Sequence, residues 1–122
     1  KIKNISKNEA ILITIDFTSP NADSMNLFTK PNGDPRYPIV LDEAIRFLSL
    51  IGWKTLKKKD ISDKYLSWYK EYVLEITEKR SELELCGFKP EEIDFALSYF
   101  NRIIELMESK KLGAVLLMIK KV

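Results

Sequence analysis

The sequence contains no histidine, one cysteine and four glycines among its 122 residues. Histidine is the commonest general base near neutral pH and the usual zinc ligand in proteins, so its absence argues against both roles. The single cysteine, Cys86, excludes an intramolecular disulfide and is typical of a reducing compartment. Four scattered glycines form no glycine-rich phosphate loop. These absences predict a protein that is not an enzyme, has no catalytic residues and carries neither a cofactor nor a metal.

Charge and hydropathy are those of an ordinary globular chain, with 45% hydrophobic and 31% charged residues. The net charge of +2 gives no global basic field, so any attraction for polyanions must be local. Signal-peptide and membrane-spanning patterns are absent. We therefore expect a single cytoplasmic domain over residues 1–122 with no membrane contact. Richness in Ile, Lys and Glu is compatible with a thermophile or with an AT-rich genome.

The first predicted element is a strand over Ala10–Phe17, which is dominated by β-branched residues. Both of its alternating faces are apolar, so we expect this strand to be buried on both sides or paired centrally. Residues Ser19 to Pro38 show no periodicity and contain the turn signal Pro31-Asn32-Gly33-Asp34. A functional loop and a loosely packed excursion are equally compatible with this segment.

Three helices are predicted by apolar residues at helical spacing, over Pro38–Ile51, Ile61–Cys86 and Pro90–Lys111. Asp60 or Ser62 can cap the second helix, and glycine follows the first two. Proline at the first position and two carboxylates in the first turn favour the start of the third. Lys54 to Asp60 is interpreted as a basic connector between the first two helices.

The last nine residues follow Gly113 as an apolar run that ends in lysines. Leucine and methionine there would suit a helix equally well, but the first strand needs a partner, which favours a strand. The predicted fold class is α+β and helix-rich: a β-α-α-α-β order with the terminal strands paired in a small sheet against a three-helix layer. An all-α bundle with an N-terminal β-arm is the alternative.

A local cluster of lysines and aromatic rings is the main candidate binding surface. Lysines neutralise phosphates while aromatic rings stack on unpaired bases, so the combination is typical of a platform for single-stranded nucleic acid. A solvated connector with internal tryptophans is the competing interpretation. The candidate residues are Lys54, Lys57, Lys58, Lys59, Lys64, Trp53 and Trp68, with Arg36 and Tyr37 from the long loop.

A second candidate surface is the part of the third helix that lies off its main apolar stripe. Phe95, Tyr99 and Leu106 make the apolar girdle of this helix nearly continuous. Excess apolar surface marks contacts with a protein partner or between copies of the chain.

Carboxylates are the remaining catalytic possibility. Clustered at the end of a strand, they could hold Mg²⁺ for phosphodiester cleavage, because hard oxygen ligands suit that ion. No spacing in the sequence ties the candidates to one point, which ranks a nuclease third among the functional hypotheses. The candidates are Asp16, Asp23, Asp34, Asp42 and Glu43.

In general outline the chain resembles the small helix-rich accessory subunits of archaeal or viral nucleoprotein machines, such as CRISPR effector small subunits. The resemblance is one of outline, and no functional residues are transferred from it. It implies a non-enzymatic adaptor that packs against a protein partner and touches a nucleic-acid backbone through the lysine surface. The alternative is a protein-only interaction module, such as a small viral inhibitor or scaffold. Neither hypothesis includes a small-molecule substrate.

Overall fold

A computed structural model describes residues 9–20, 28–29, 35–36 and 38–122, without the side chains of 28–29 and 35–36. The described residues form six strands and four helices. In chain order, the elements are β1 Ile11–Ser19, β2 Phe28–Thr29, β3 Pro35–Arg36, β4 Ile39–Val40, α1 Leu41–Leu50, β5 Trp53–Asp60, α2 Ser62–Glu78, α3 Arg80–Leu85, α4 Pro90–Glu108 and β6 Gly113–Lys121. Helix α1 thus lies between β4 and β5, and helices α2 to α4 lie between β5 and β6.

A four-stranded sheet in the order β4-β1-β6-β5 forms the centre of the structure. The terminal strands pair antiparallel from Ile11 opposite Lys120 to Thr18 opposite Gly113. Strand β5 is also antiparallel to β6, while β4 is parallel to β1. Strands β4, β1 and β5 therefore run in one direction and β6 runs against them. The predicted α+β class and the pairing of the terminal strands are confirmed.

The basic segment after α1 is a strand rather than the predicted connector. Lysine has a low intrinsic strand preference, yet β5 makes a ladder with β6 that is interrupted by a register shift between Thr55 and Lys57. Its other edge is the end of the sheet, where charged side chains are well tolerated. Backbone pairing with an apolar neighbour therefore overrides the composition of the segment.

Two of the predicted helices have different bounds in the structure. The first helix begins at Leu41 instead of Pro38, because Ile39 and Val40 pair with the end of β1. The predicted helix over Ile61–Cys86 is two helices, α2 and α3, separated at Lys79.

The third helix ends at Glu108 rather than Lys111 because a left-handed residue stops it. Lys110 has a φ of 62°, and the N–H of Lys111 donates to the carbonyl of Leu106 at 2.9 Å. This is the hydrogen bond that closes a helix C-terminus around a left-handed residue.

The sheet has a different cover on each face. Helix α1 covers one face, over a cluster of Trp53, Val115, Leu117 and Ile119. Helices α2 and α4 pack on the other face at the end of the sheet that carries Phe17 and Ala114; their buried side chains include Ile103, Leu106 and Met107. The helices therefore lie on both faces, and the predicted single three-helix layer is wrong.

Of the two environments predicted for the first strand, burial on both sides is wrong, and central pairing is found only at Thr18 and Ser19, where β1 lies between β4 and β6. Ile11, Ile13 and Ile15 are 59%, 57% and 45% exposed on the face that α2 and α4 cover only near Phe17. The register places Leu116 and Met118 of β6 beside them on the same face. We call these five residues, Ile11, Ile13, Ile15, Leu116 and Met118, the isoleucine face.

Candidate functional site

A cleft of about 640 Å³ lies at one end of the sheet. It is bordered by Thr18, Ser19 and Pro20 at the carboxyl end of β1 and by Asp60 at the carboxyl end of β5. The starts of α1 and α2 and the end of α4 complete its wall. In open sheets with parallel strands, ligands bind beyond the carboxyl ends of those strands. The cleft is therefore the best-placed ligand site among the described residues.

Ionisable groups in the cleft are mostly acidic. Asp42 lies in the first turn of α1, Asp60 ends β5 and Asp63 lies in the first turn of α2. Lys110, just after α4, is the basic residue of the lining. Three carboxylates against one ammonium favour a cationic or hydrogen-bond-donating ligand over an anionic one.

Asp60 joins the end of β5 to the start of α2. Its Oδ1 accepts a hydrogen bond from the main-chain N–H of Ser62, the first residue of α2, at 2.8 Å, although the N-cap position itself is Ile61 and not the predicted Asp60 or Ser62. The hydrogen bonds from the side chain and main chain of Ser62 lower the pKa of Asp60 below its ordinary value of 3.8. Asp60 is therefore ionised at neutral pH and fixed in position.

Replacing Asp60 by alanine should lower the free energy of unfolding at pH 7 by about 0.5–2 kcal/mol, because the first free amide of α2 loses its acceptor. A depressed folded-state pKa contributes stability above the unfolded pKa, and this contribution is lost as pH falls through the folded value. The difference from the parent should therefore shrink below about pH 3.8. Urea unfolding at several pH values measures it. Asp60→Asn keeps the acceptor without the charge, and its smaller effect should show no such pH dependence.

Gly113 and Ser62 close the floor of the cleft. The Oγ of Ser62 accepts a hydrogen bond from the N–H of Ala114 at 3.0 Å. A Cβ atom on Gly113 would lie 2.7 Å from Oγ1 of Thr18 and 2.9 Å from Oγ of Ser62. Glycine is needed here for close packing between β6, β1 and the start of α2.

The predicted lysine surface is divided by the structure. Register with β6 places Lys54, Lys57 and Lys59 on the same face of the sheet as the isoleucine face. Lys58 points to the opposite face and lines a smaller pocket beside Thr18 and Asp60. An alternating strand cannot present three consecutive side chains, here Lys57, Lys58 and Lys59, on one surface.

The two tryptophans of that surface have different environments. Trp53 is 3% exposed in the cluster under α1, so its ring cannot stack on a base. Trp68 is 40% exposed, and Nζ of Lys64 lies 5.8 Å from its ring centroid, within cation–π range. Tyr37 lies outside the described residues, and of Arg36 the structure describes only its place in β3.

The predicted partner surface on the third helix is also divided. Phe95 is 48% exposed, and Tyr99 is partly buried against the core. Leu106 is 1% exposed and belongs to the core, so it is not available to a partner. The nearly continuous girdle reflects a helix that packs against both α2 and the sheet.

The described residues contain no cluster of acidic or sulfur ligands able to hold a metal ion. Asp16 is exposed and accepts a hydrogen bond from Oγ1 of Thr14 at 3.4 Å. Asp23 and Asp34 lie outside the described residues, and Asp42 lines the cleft. Within the described part of the chain, no helix is both long and apolar enough to cross a bilayer.

The polar and glycine positions Asp60, Asp63, Lys110 and Gly113 line the cleft and were absent from the predicted sites. They come from two separate connections, β5 to α2 and α4 to β6, and they meet because β5 is a strand parallel to β1. The available signal was a strand that ends in an acidic residue immediately before a helix start. This signal was missed because Lys54 to Asp60 was interpreted as a connector.

No family model matches the chain, and no curated protein matches it by sequence. Solved structures do match. The cyclopropane synthase MmaA2 from Mycobacterium tuberculosis is 10% identical with a TM-score of 0.83, over 98% of this chain and 47% of its own. A mycolic acid cyclopropane synthase, CmaA1, complexed with SAH and CTAB is 7% identical with a TM-score of 0.80, over 97% and 46%. This chain has the fold of part of those enzymes.

A phosphoethanolamine N-methyltransferase 2 from Haemonchus contortus, in complex with phosphomonomethylethanolamine and S-adenosylhomocysteine, matches with a TM-score of 0.78 and 11% identity. The match covers 98% of this chain and 28% of that one. The chain thus spans less than half the length of each of these three neighbours.

These neighbours contradict the functional hypotheses drawn from the sequence. A non-enzymatic nucleic-acid adaptor, a protein-only module and a nuclease are all wrong, because the fold is shared with enzymes named as synthases and methyltransferases. The expectation that no small-molecule substrate is involved is overturned by the neighbours that hold small molecules. Lack of histidine excludes one type of general base, and it does not exclude catalysis.

The described residues do not by themselves fit an S-adenosyl cofactor of the kind bound by two of the neighbours. Open α/β sheets bring main-chain N–H groups to nucleotide-type ligands at a glycine-rich turn from strand to helix. The turn from β5 to α2 contains no glycine. The space beside Gly113 is already occupied by the side chains of Thr18 and Ser62, so a ligand cannot approach its main chain there. We therefore assign no cofactor contact to the described residues.

Proposed function

We propose that residues 1–122 form the acceptor-binding part of an enzyme that transfers a one-carbon group from S-adenosylmethionine. The fold match to the cyclopropane synthase over 98% of the chain is the observation that carries the proposal. The position of the cleft at the carboxyl ends of β1 and β5 supports it independently. S-adenosylmethionine supplies the reactive carbon, and this chain contributes the site that binds and orients the acceptor.

The acidic lining defines the acceptor that this cleft would select. Asp42 and Asp63 lie in the first turns of two helices that converge on the cleft, and Asp60 is held ionised beside them. A cationic amine or a polar headgroup that donates hydrogen bonds would gain charge-assisted contacts there. Binding and orientation alone account for a large part of the acceleration of a group transfer between two bound molecules.

The direct test uses the protein in the form in which its source organism produces it, purified through a tag on this chain. Incubation with S-adenosylmethionine labelled in its methyl group and a panel of amines and lipid acceptors should transfer the label to at least one class of acceptor. Cationic acceptors should be preferred over anionic ones. Absence of transfer to every acceptor, together with absence of S-adenosylhomocysteine binding, would refute the proposal.

A further inference from the structure

The two outer edges of the sheet differ sharply in character. At one edge, β5 has lysines at four of its eight positions. Lysines on an edge strand commonly prevent its pairing with another strand. Strand β1 pairs with β4 at Thr18 and Ser19, and no other described strand pairs with Ile11 to Ile15 on that side. Asp16 is the one charged residue of β1.

Where no described strand pairs with it, this free edge of β1 presents main-chain hydrogen-bonding groups. The carbonyl of Ala10 accepts a hydrogen bond from the N–H of Lys121 at 2.9 Å, so the groups of Ala10 point towards β6. Direction alternates along an antiparallel strand, which turns the N–H and C=O groups of Ile11, Ile13 and Ile15 to the free edge. An unpaired row of such groups is a template for another strand.

The same three isoleucines also present apolar side chains. They are 45–59% exposed, and Leu116 and Met118 extend the isoleucine face across β6. On its far side, the face is bordered by Lys54, Lys57 and Lys59 of β5. A contiguous apolar patch with a polar border is the usual signature of a protein interface.

We propose that β1 is a docking surface for an α/β unit that adds a strand to its free edge and lays one amphipathic helix over the isoleucine face. The helix would carry acidic residues on the flank that meets the β5 lysines. More than half of each matched neighbour lies outside the match, which is room for such a unit. This proposal rests on the proposed function, because the docked unit would hold the cofactor for which the described residues have no fitting site.

A second copy of the chain would pair with the free edge of β1 but would not cover the isoleucine face. Antiparallel pairing of two β1 edges about a twofold axis perpendicular to the sheet would join the sheets and satisfy the main-chain groups. The isoleucines of both copies would then lie on one continuous face and remain exposed to water. A unit that supplies both a strand and a helix covers edge and face together.

Site-specific photo-crosslinking identifies the occupant. Ile13→p-benzoylphenylalanine is compared with Leu50→p-benzoylphenylalanine, since Leu50 is 80% exposed on α1, over the other face of the sheet. Both are made in the protein as its source organism produces it, and crosslinked peptides are sequenced by mass spectrometry. Position 13 should crosslink to a strand or helix of an α/β unit outside residues 1–122. Crosslinks to a second copy of β1, or a yield no higher than at position 50, would overturn the proposal.

Substitution tests the same surface by affinity. Ile13→Lys with Ile15→Lys should weaken binding of the crosslinked unit at least 100-fold, because two charges would be placed under the docked helix. Phe47→Lys with Leu50→Lys, on α1, should change it less than threefold. Circular dichroism verifies folding, and Ile13→Thr with Ile15→Thr, which keeps strand preference, replaces the lysine pair if that pair unfolds. Equal effects of the two pairs of sites would contradict the docking surface.

Failure of this inference and failure of the proposed function give different results. A crosslinked strand-and-helix unit that does not bind S-adenosylhomocysteine supports docking and removes the proposed function. Binding of S-adenosylhomocysteine by the purified protein without a crosslink at position 13 leaves the function standing and removes the docking surface.

Discussion

Replacing Leu106 by alanine is expected to lower the free energy of unfolding by about 2–5 kcal/mol. Leu106 is 1% exposed and packs with Phe17, Ile103 and Met107 between α4 and the sheet. Truncation removes buried methyl groups and leaves a cavity in the part of the core that positions α2 and α4. Denaturant unfolding monitored by tryptophan fluorescence gives the value.

Leu85→Ala is the matched control, since Leu85 is the same residue type but 88% exposed at the end of α3. Its effect should stay within about 0.5 kcal/mol. A loss below 0.5 kcal/mol for Leu106→Ala would mean that this side chain faces outward, as the sequence alone suggested.

Removing two cleft charges should have the largest effect on activity. In the double variant Asp42→Asn with Asp63→Asn, we expect KM for a cationic acceptor to rise by about 10- to 100-fold, since a hydrogen bond to a charged group contributes about 1.5–3 kcal/mol. The change should be much smaller for a neutral acceptor of similar shape. Initial rates over a range of acceptor concentrations separate KM from kcat.

The control for this pair is Glu71→Gln with Glu75→Gln, two exposed carboxylates of α2 that do not line the cleft. It removes the same amount of charge at positions away from the cleft and should leave KM within twofold. Equal effects of the two double variants would indicate that overall charge, not the cleft, governs binding of the acceptor.

Local sequence signals were sufficient for several elements of the fold. Pro90 and the carboxylates after it mark the start of α4, and β-branched residues mark β1. The final apolar run could be assigned only by asking which segment would pair with β1. The final run is indeed a strand paired with β1, because a lone strand cannot satisfy the hydrogen-bonding groups of its main chain.

The site was harder to predict because its residues are brought together by one strand whose composition is misleading. With β5 interpreted as a connector, Asp60 has no fixed relation to Thr18, and the cleft does not exist. The register with β6 supplies that relation, and local propensity contains no information on register. The same error made the lysines look like one surface, whereas the pleat separates Lys58 from its neighbours.

The functional hypothesis failed for a chemical reason. Absence of histidine and of a glycine-rich loop was taken as absence of catalysis, although a group-transfer enzyme can act chiefly by holding two reactants in alignment. Residues of such an acceptor site need no particular motif. The exposure of Ile11, Ile13 and Ile15 was likewise not predictable, because the sequence does not show which face of β1 the helices leave uncovered.

Calorimetric titration of S-adenosylhomocysteine into the protein, as its source organism produces it, tests whether this chain is part of an enzyme that uses S-adenosylmethionine. We expect saturable binding with one site per copy of this chain, and tighter binding of a cationic acceptor once that site is filled. A flat titration from a folded protein, with no heat of binding at any concentration, would contradict the assignment of this chain to such an enzyme.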